Sequence, residues 1–282
     1  LCDRRQRQMC IRDRSIAAGT VVEDCYNLGD VTVSGQPTSS TAICCATGFA
    51  GSISGGSISR CWNAGNIYGL TPCNAGLAGY AAGTDVTTIS DCFNVGNVTG
   101  SSVLASGAAG NANGTAGGLF GYISTGNPVI RNCYNAGDIT GDKRVGGIAG
   151  GMFRPDAVVE NCYSSGKINC EDSWSGTIYT SKAEYSDGQS YFANSKNVYY
   201  DAEITTGEQS RDFPGSAKTT AEMTAIDLGD AFYNWNSYPG LKSFAADDTA
   251  EPALNAARVS TAMVAVAVGD SYDLSLIHIS EP

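Results

Sequence analysis

An eight-residue pattern that recurs along the chain restricts its fold more than any other feature. The pattern is an aliphatic residue, two mostly polar residues, Cys, an aromatic residue, Asn or Ser, any residue, and Gly. This cysteine motif occupies Val22–Gly29, Ile58–Gly65, Ile89–Gly96, Ile130–Gly137 and Val159–Gly166, with a decayed sixth copy at Ser195–Ala202. Successive motif cysteines lie 29 to 41 residues apart, which indicates similar units joined by connections of different length.

A glycine-rich block alternates with the cysteine motif. Its copies read TGFAG, AGLAG, GGLFG and GGIAG, and each lies 10 to 13 residues before the next motif cysteine. They occupy Thr47–Gly51, Ala75–Gly79, Gly117–Gly121 and Gly146–Gly150. Two constant blocks with variable connections are typical of a solenoid, and paired glycines permit a bend or a close approach of two backbones.

Composition indicates which solenoid to expect. The chain lacks both a leucine ladder and glycine-free stretches with a period of about 3.6 residues, so leucine-rich and helical repeats are disfavoured. Short β-branched runs between Gly, Asn and Asp predict strands joined by tight turns. We predict an all-β fold, a parallel β-helix with about three short strands per coil and loops of variable length. A β-propeller, which needs four strands per repeat, is the alternative.

Equivalent side chains of adjacent coils should stack about 4.8 Å apart. The small, commonly buried motif cysteines then form an interior structural ladder made of Cys25, Cys61, Cys92, Cys133 and Cys162. Disulfides or a metal are alternatives for these thiols, although no CxxC spacing occurs. The motif asparagine predicts an amide ladder between coils. The final motif glycine is expected at positive φ.

The spacing within the motif requires an irregularity in the strand. The aliphatic residue and the cysteine are three positions apart, whereas side chains on one face of a strand are two apart. Both residues can therefore point inward only across a bend or a bulge.

The alternation of GGIAG with NCYNAGDITG resembles the GLUG-motif repeats of bacterial surface and secreted proteins, over about Val21 to Phe244. The resemblance implies a right-handed β-helix, an extracellular or cell-surface location, and an adhesin-like role. Similar repeats accompany IgA-specific metallopeptidases of cocci. A non-catalytic region of such a large surface enzyme is therefore the alternative.

Both ends of the chain resemble translated sequencing adapters. RRQRQMCIRDR lies within residues 1–14, and LSLIHISEP forms residues 274–282. We expect both segments to be read-through artefacts of a metagenomic fragment. Without them the chain has no histidine and retains nine of its eleven cysteines. Cys–His and Ser–His–Asp catalytic sites are then excluded within the fragment.

The remaining residues divide into three predicted parts. Residues 15–244 form the solenoid domain, with a helix-plus-aromatic cap at about 215–244 that covers the last coil. Within the cap, Thr219–Glu222 matches a capping box and predicts a short helix to Leu228. Residues 245–257 are a predicted linker, and residues 258–273 resemble the start of a truncated immunoglobulin-like domain.

Charge and residue types narrow the possible functions. The net charge of −11 disfavours nucleic acid and anionic membranes as partners, and no apolar run is long enough to span a membrane. A carbohydrate-active β-helix, the less favoured alternative, would need paired carboxylates. Asp30 and Asp138 occupy equivalent positions that elsewhere hold Asn or Lys, so turn roles are favoured. We predict a non-enzymatic, monomeric segment of a larger protein, without cofactor or metal.

The aromatic residue that follows each motif cysteine points outward if the cysteine points inward. The resulting column consists of Tyr26, Trp62, Phe93, Tyr134, Tyr163 and Tyr199. A stacked aromatic stripe suits a host glycan or a host or bacterial surface protein as ligand. Stacking between coils, or burial beneath a loop, is the structural alternative.

Overall fold

A computed structural model describes a β-solenoid built from stacked parallel sheets. It describes residues 15–34, 45–81, 83–101, 114–154, 156–170, 175–180, 194–205, 215–233 and 238–245. The adapter-like ends and the predicted start of a further domain lie outside the described residues, as does the predicted linker apart from Ala245.

Four parallel sheets make the walls of the solenoid. We number them one to four in the order in which each coil passes through them, beginning at the cysteine motif. The first sheet contains β2 (Val21–Glu23), β3 (Tyr26–Asn27), β7 (Ser57–Ser59), β8 (Trp62–Asn63), β12 (Val86–Ser90), β13 (Phe93–Asn94), β17 (Asn127–Asn135), β21 (Val158–Ser164), β25 (Ser195–Asp201) and β26 (Ser216–Lys218). The second sheet contains β4 (Val31–Val33), β9 (Ile67–Gly69), β14 (Val98–Gly100), β18 (Ile139–Gly141) and β22 (Ile168–Cys170).

The glycine blocks and the residues around them form the other two sheets. The third sheet contains β5 (Cys45–Thr47), β10 (Cys73–Ala75), β15 (Thr115–Gly117), β19 (Val145–Gly146) and β23 (Ser175–Gly176). The fourth contains β1 (Ser15–Ile16), β6 (Ala50–Ile53), β11 (Ala78–Ala81), β16 (Phe120–Ile123), β20 (Ala149–Met152) and β24 (Tyr179–Thr180). A coil thus visits four sheets, so the prediction of about three strands per coil was too low.

The strands of adjacent coils pair in parallel and in motif register. Ile58 is opposite Val22 on one side and Ile89 on the other, and Cys133 is opposite Cys162. This pairing confirms the predicted β-helix. The interior is filled by the aliphatic motif residues, the motif cysteines and apolar residues of the fourth sheet, such as Ile53, Phe120 and Met152.

A left-handed residue supplies the bend that the motif spacing requires. The residue before the motif cysteine, or before its Val198 replacement, has φ between 48° and 54° in all six copies: Asp24, Arg60, Asp91, Asn132, Asn161 and Asn197. Asp and Asn tolerate this conformation better than most residues with a Cβ atom. The bend lets the aliphatic residue and the cysteine both face the interior.

The final motif glycines serve a different purpose from the one predicted. The positive φ expected at Gly29, Gly65 and Gly96 was wrong, because the left-handed conformation lies five residues earlier, directly before the cysteine. A Cβ atom on Gly65 would collide with the carbonyl oxygen of Gly29, and one on Gly96 with that of Gly65. Close approach of the coil backbones therefore requires glycine here.

The C-terminal part begins with the predicted capping box. The Thr219 hydroxyl accepts a hydrogen bond from the Glu222 amide, and the Glu222 carboxylate accepts one from the Thr219 amide. The helix α1 covers Thr220–Met223 and ends before the predicted Leu228. An antiparallel pair, β27 (Phe232–Tyr233) and β28 (Gly240–Leu241), and a 3₁₀ turn at Lys242–Phe244 follow.

Two glycine substitutions test the role of coil spacing. Gly96→Ala should destabilise the protein by about 1–3 kcal/mol, because the new methyl group collides with a backbone carbonyl that cannot move alone. Gly29→Ala is the matched control, since its Cβ would meet only Asn27 Oδ1 at 3.9 Å. Urea unfolding of both variants gives the comparison, and equal losses of stability would contradict the explanation.

Candidate functional site: the aromatic column

The first five motif aromatics, from Tyr26 to Tyr163, form one continuous stack on the outer side of the first sheet. Ring centroids are 5.0 Å apart for Tyr26 and Trp62, 5.6 Å for Trp62 and Phe93, 5.0 Å for Phe93 and Tyr134, and 4.9 Å for Tyr134 and Tyr163. Interplanar angles in these pairs are 14° or less. In-register pairing of the strands holds the rings in this nearly parallel arrangement.

The C-terminal segment covers most of this column. Trp62, Phe93, Tyr134 and Tyr163 are at most 2% exposed. The covering residues are Met223, Ile226, Leu228, Phe232, Tyr238, Leu241 and Phe244, which form one apolar cluster with the column. The predicted cap therefore lies along the side of the solenoid as well as beside the last strands.

Two tyrosine hydroxyl groups help to attach this cap to the solenoid. The Tyr163 hydroxyl donates to the Pro239 carbonyl at 2.8 Å, and the Tyr238 hydroxyl donates to Asp201 Oδ2 at 2.5 Å. Asp201 is fully buried, and its Oδ1 accepts hydrogen bonds from the amides of Glu203 and Ile204. These donors stabilise a carboxylate that would otherwise be costly to bury.

Asp201 anchors the cap, a structural role that the sequence alone did not predict. It lies in the decayed sixth motif, where the loss of Cys, Asn and Gly looks like simple degeneration. A charged residue just after two tyrosines, in the copy that no further cysteine motif follows, was the available signal. The sixth copy bonds to the cap through Asp201. It also continues the apolar interior, because Tyr200 is buried at the position that holds asparagine in other copies.

The ligand-binding role of the column stays a prediction, and burial limits where contact is possible. Tyr26 and Tyr199 are half-buried, while the four rings between them are inaccessible. Next to Tyr26, the side chain of Leu28 is 59% exposed. A ligand of the capped molecule can therefore reach the column at the end formed by Tyr26 and Leu28, or at Tyr199.

The motif cysteines stack inside the solenoid, on the opposite side of the strand from the rings. Each thiol donates to the backbone carbonyl two residues earlier, at 3.0–3.2 Å, which satisfies a carbonyl at the bend. The eight described cysteines are free thiols. Burial, with the neighbouring Cys162 and Cys92 thiols, holds the pKa of Cys133 well above its usual range. Such a thiol is a structural group, not a nucleophile.

A buried amide ladder runs beside the cysteines. Each Nδ2 donates to the Oδ1 of the next coil, at 2.7 Å from Asn27 to Asn63, 2.7 Å from Asn63 to Asn94 and 2.8 Å from Asn94 to Asn135. The same Nδ2 atoms also donate to the carbonyl of the final motif glycine. The ladder ends at Ser164, whose hydroxyl lies 3.4 Å from Asn135 Nδ2. This matches the arrangement predicted from the motif.

Two further ladders occupy the corners of the coils. The first ladder consists of residues that precede the motif cysteine and have a left-handed conformation. Asn132 Nδ2 donates to Asp91, Asn161 Nδ2 to Asn132, and Asn197 Nδ2 to Asn161. The second ladder lies at the position directly after the final motif glycine. Each side chain there accepts a hydrogen bond from the backbone N–H of the equivalent residue in the next coil; the acceptors are Asp30, Asn66, Asn97 and Asp138. The carboxylates of Asp30 and Asp138 thus serve as turn acceptors.

An exposed charge cluster joins the first two motif copies. Arg60 donates to Asp24 at 2.6 Å and to Glu23 at 2.9 Å. The hydrogen bond from Arg60 holds the pKa of the Asp24 carboxyl below its usual range. Among the described residues, no group of three or more His, Cys, Asp or Glu side chains has a geometry that could hold a metal ion.

A second aromatic cluster lies on the outer side of the fourth sheet. Tyr80 stacks on Tyr122 at 6.2 Å, and Phe153 packs against Tyr122 at 5.7 Å. The guanidinium of Arg144 lies 5.0 Å from the Phe153 ring centre and 5.6 Å from that of Tyr122. This cluster was not predicted from the sequence, although both tyrosines follow the last glycine of a block (AGY, FGY).

Comparisons of the chain with family models, with curated proteins and with solved structures found no match. Within the described residues, no helix has the length and apolar character needed to cross a membrane.

Removal of one ladder amide tests the interior hydrogen bonds. Asn94→Ala should cost about 1–3 kcal/mol, because it leaves Asn135 Oδ1 without its donor and Asn63 Nδ2 without one acceptor in a buried site. Asn97→Ala is the control, since its acceptor role is exposed to water, which can replace it. Chemical unfolding measures both. A ladder without energetic importance would give the two variants the same stability.

High pH should unfold the protein. Burial raises the pKa of Tyr122 to about 12, and burial also raises that of Tyr163 above its usual range. The folded state therefore favours the neutral phenol. This contribution to stability is full below about pH 10, the ordinary tyrosine pKa, and is lost as the pH rises towards 12. Circular dichroism against pH, with phenolate absorbance recorded in parallel, should show ionisation of buried tyrosines together with unfolding.

Proposed function

We propose that this chain is a non-enzymatic repeat scaffold of an extracellular bacterial protein, with a role in adhesion or in the spacing of domains. The observation that carries the proposal is the use of its polar side chains. The motif amides and the corner Asp and Asn residues bond to neighbouring coils. Asp and Asn side chains, which serve catalysis in many enzymes, here form hydrogen bonds between one coil and the next.

The ladders also support a mechanical role. Strand pairing joins each coil to the next, buried amides join the first four motif copies, and stacked rings join the first five, so that bending would disturb several interactions together. A unit of this kind holds its surface in a constant orientation. A stiff arm or spacer gains from such rigidity, because attached surfaces stay at a defined distance.

The proposed location and partners follow from the resemblance to GLUG-motif repeats. The cysteine motifs and glycine blocks on which this resemblance depends have structural roles in the coil, including their aromatic and glycine positions. On this proposal the protein is exported and meets a host glycan or a host or bacterial surface protein. The exposed Leu28, the half-buried Tyr26 ring and the Arg60 cluster offer apolar and polar contacts to such a ligand.

A combined cleavage and binding assay tests the proposal. Purified protein is incubated with a panel of bacterial and host polysaccharides, and both retention of the protein and release of reducing ends are measured. The scaffold role predicts no release of reducing ends from any member. Release that disappears in Asp30→Asn or Asp138→Asn would overturn the proposal in favour of a carbohydrate-active β-helix.

The same assay locates the contact if a glycan retains the protein. Tyr26→Ala should weaken retention several-fold and leave the unfolding curve nearly unchanged, because this ring is partly exposed at the end of the stack. Tyr68→Ala is the matched control, since Tyr68 is an exposed tyrosine on the second sheet, away from the column. Equal retention of the two variants would place the contact elsewhere on the molecule.

A further inference from the structure

Strand β1 belongs to the fourth sheet, although it precedes the first cysteine motif. Ser15 is opposite Ser52 and Ile16 is opposite Ile53 of β6. Each coil, counted from its cysteine motif, passes through the fourth sheet last, directly after or within its glycine block, and β6 is in this place in coil 1. β1 is therefore the last strand of a coil that comes before the first motif.

The turn that follows β1 also repeats. Gly19 has a φ of 76°, and Gly55 and Gly126, in the turns after the fourth-sheet strands of coils 1 and 3, each have a φ of 74°. The Gly19 amide donates to the Gly55 carbonyl at 3.1 Å, and the Ser57 amide donates to the Thr20 carbonyl at 2.9 Å. The strand and its turn thus stack on coil 1 as one coil stacks on the next.

The interior of coil 1 is less covered than that of coil 2. Three interior positions of coil 1 are half-buried, whereas the equivalent residues of coil 2 are at most 1% exposed. The pairs are Val22 with Ile58, Cys25 with Cys61, and Val31 with Ile67. Coil 1 therefore presents an apolar cross-section that one more coil would bury.

The backbone of coil 1 suits a coil in the same register. In coils 2, 3 and 4 the amide of the motif aromatic donates to the cysteine carbonyl of the coil before, as from Trp62 to Cys25 at 3.1 Å. The amide two residues later, as in Ala64, donates to the asparagine carbonyl of the coil before. Tyr26 and Leu28 hold these positions in coil 1, so the matching carbonyls are those of a preceding cysteine motif.

We infer that the described coils continue a longer solenoid, and that the occupant of the coil 1 surface is a preceding coil of the same repeat. The interface is continuous with that between coils 1 and 2, and β1 supplies its last strand. Each glycine block ends directly before the residue equivalent to Ser15, so a block should directly precede Ser15. The motif cysteine of this coil should lie 29 to 41 residues before Cys25, as between other coils.

The sequence that stands in place of this block does not suit a coil. The block would occupy residues 10–14, which read CIRDR, with Ile11 at its second position. All four blocks have glycine there, and a Cβ atom on Gly48 or Gly76 would collide with a carbonyl oxygen of the next coil. The conflict supports the interpretation of residues 1–14 as adapter-derived, with the native block replaced.

A preceding coil also moves the accessible end of the aromatic column. Its motif aromatic would stack on Tyr26, as Tyr26 stacks on Trp62. A glycan that contacts Tyr26 in the present chain would then contact an earlier ring in the longer protein.

Genomic DNA from the source sample, sequenced upstream of the codon for Ser15, gives the first test. We expect a glycine block directly before Ser15 and a cysteine motif 29 to 41 residues before Cys25. Genomic codons for CIRDR before Ser15, or the absence of the block or of the motif, would overturn the inference.

A grafted coil tests the surface in the protein itself. Residues 1–14 are replaced by a copy of Ile58–Gly79, which ends in a glycine block and places a motif cysteine 29 residues before Cys25. Hydrogen–deuterium exchange at the Tyr26 and Leu28 amides should slow by about ten-fold or more relative to the unmodified chain. The midpoint of urea unfolding should rise, because the graft buries the interior of coil 1.

The control is the same graft with Gly76→Ile in the grafted copy, which puts isoleucine where Ile11 stands now. It should leave exchange at Tyr26 and Leu28 unchanged, because the side chain prevents close approach of the backbones. Circular dichroism verifies that both proteins are folded. Unchanged exchange in the first graft, or equal slowing in both, would refute a stacked preceding coil.

The exchange measurement and the polysaccharide assay fail independently. Release of reducing ends would remove the scaffold proposal and leave the preceding coil in place. Unchanged exchange in the grafted protein would remove the preceding coil and leave a non-enzymatic scaffold intact.

Discussion

In-register stacking of like residues on like residues is the constraint from which the rest of this structure follows. Parallel pairing at the coil spacing places each motif position directly over its equivalent, and the amide ladder converts this register into hydrogen bonds of 2.7–2.8 Å. A shift of register would break every rung of the ladder together, because each amide donates to one neighbour and accepts from the other. The same register stacks the aromatic rings outside and the thiols inside.

The bend before each cysteine reconciles this stacking with a narrow cross-section. A regular strand would send the aliphatic residue and the cysteine to opposite faces, so one residue per motif takes a left-handed conformation. The coil backbones then approach closely enough that only glycine fits at the end of the motif. The strain of six left-handed residues is offset by corner hydrogen bonds, as between Asn132 and Asp91.

The cap changes what the molecule exposes. A column of parallel rings is an apolar stripe that would invite association if it were bare, and the C-terminal segment removes most of it from water. The segment is attached through Asp201, which belongs to the motif copy that departs most from the repeat. The motif copy that departs most from the repeat is thus the one that contacts the non-repeating cap segment.

The repeat by itself determined the solenoid, the stacked thiols and the amide ladder, because a residue that recurs at one position of every coil must contact its own copies. It also required an irregular residue between the aliphatic position and the cysteine. The tertiary structure decided which residue bends, and that glycine serves close approach instead of positive φ. It also decided that the cap lies along the aromatic column. These features depend on contacts between segments that do not repeat, such as Phe244 with Phe93 and Tyr238 with Asp201, and a single copy of a contact leaves no periodic signal in the sequence.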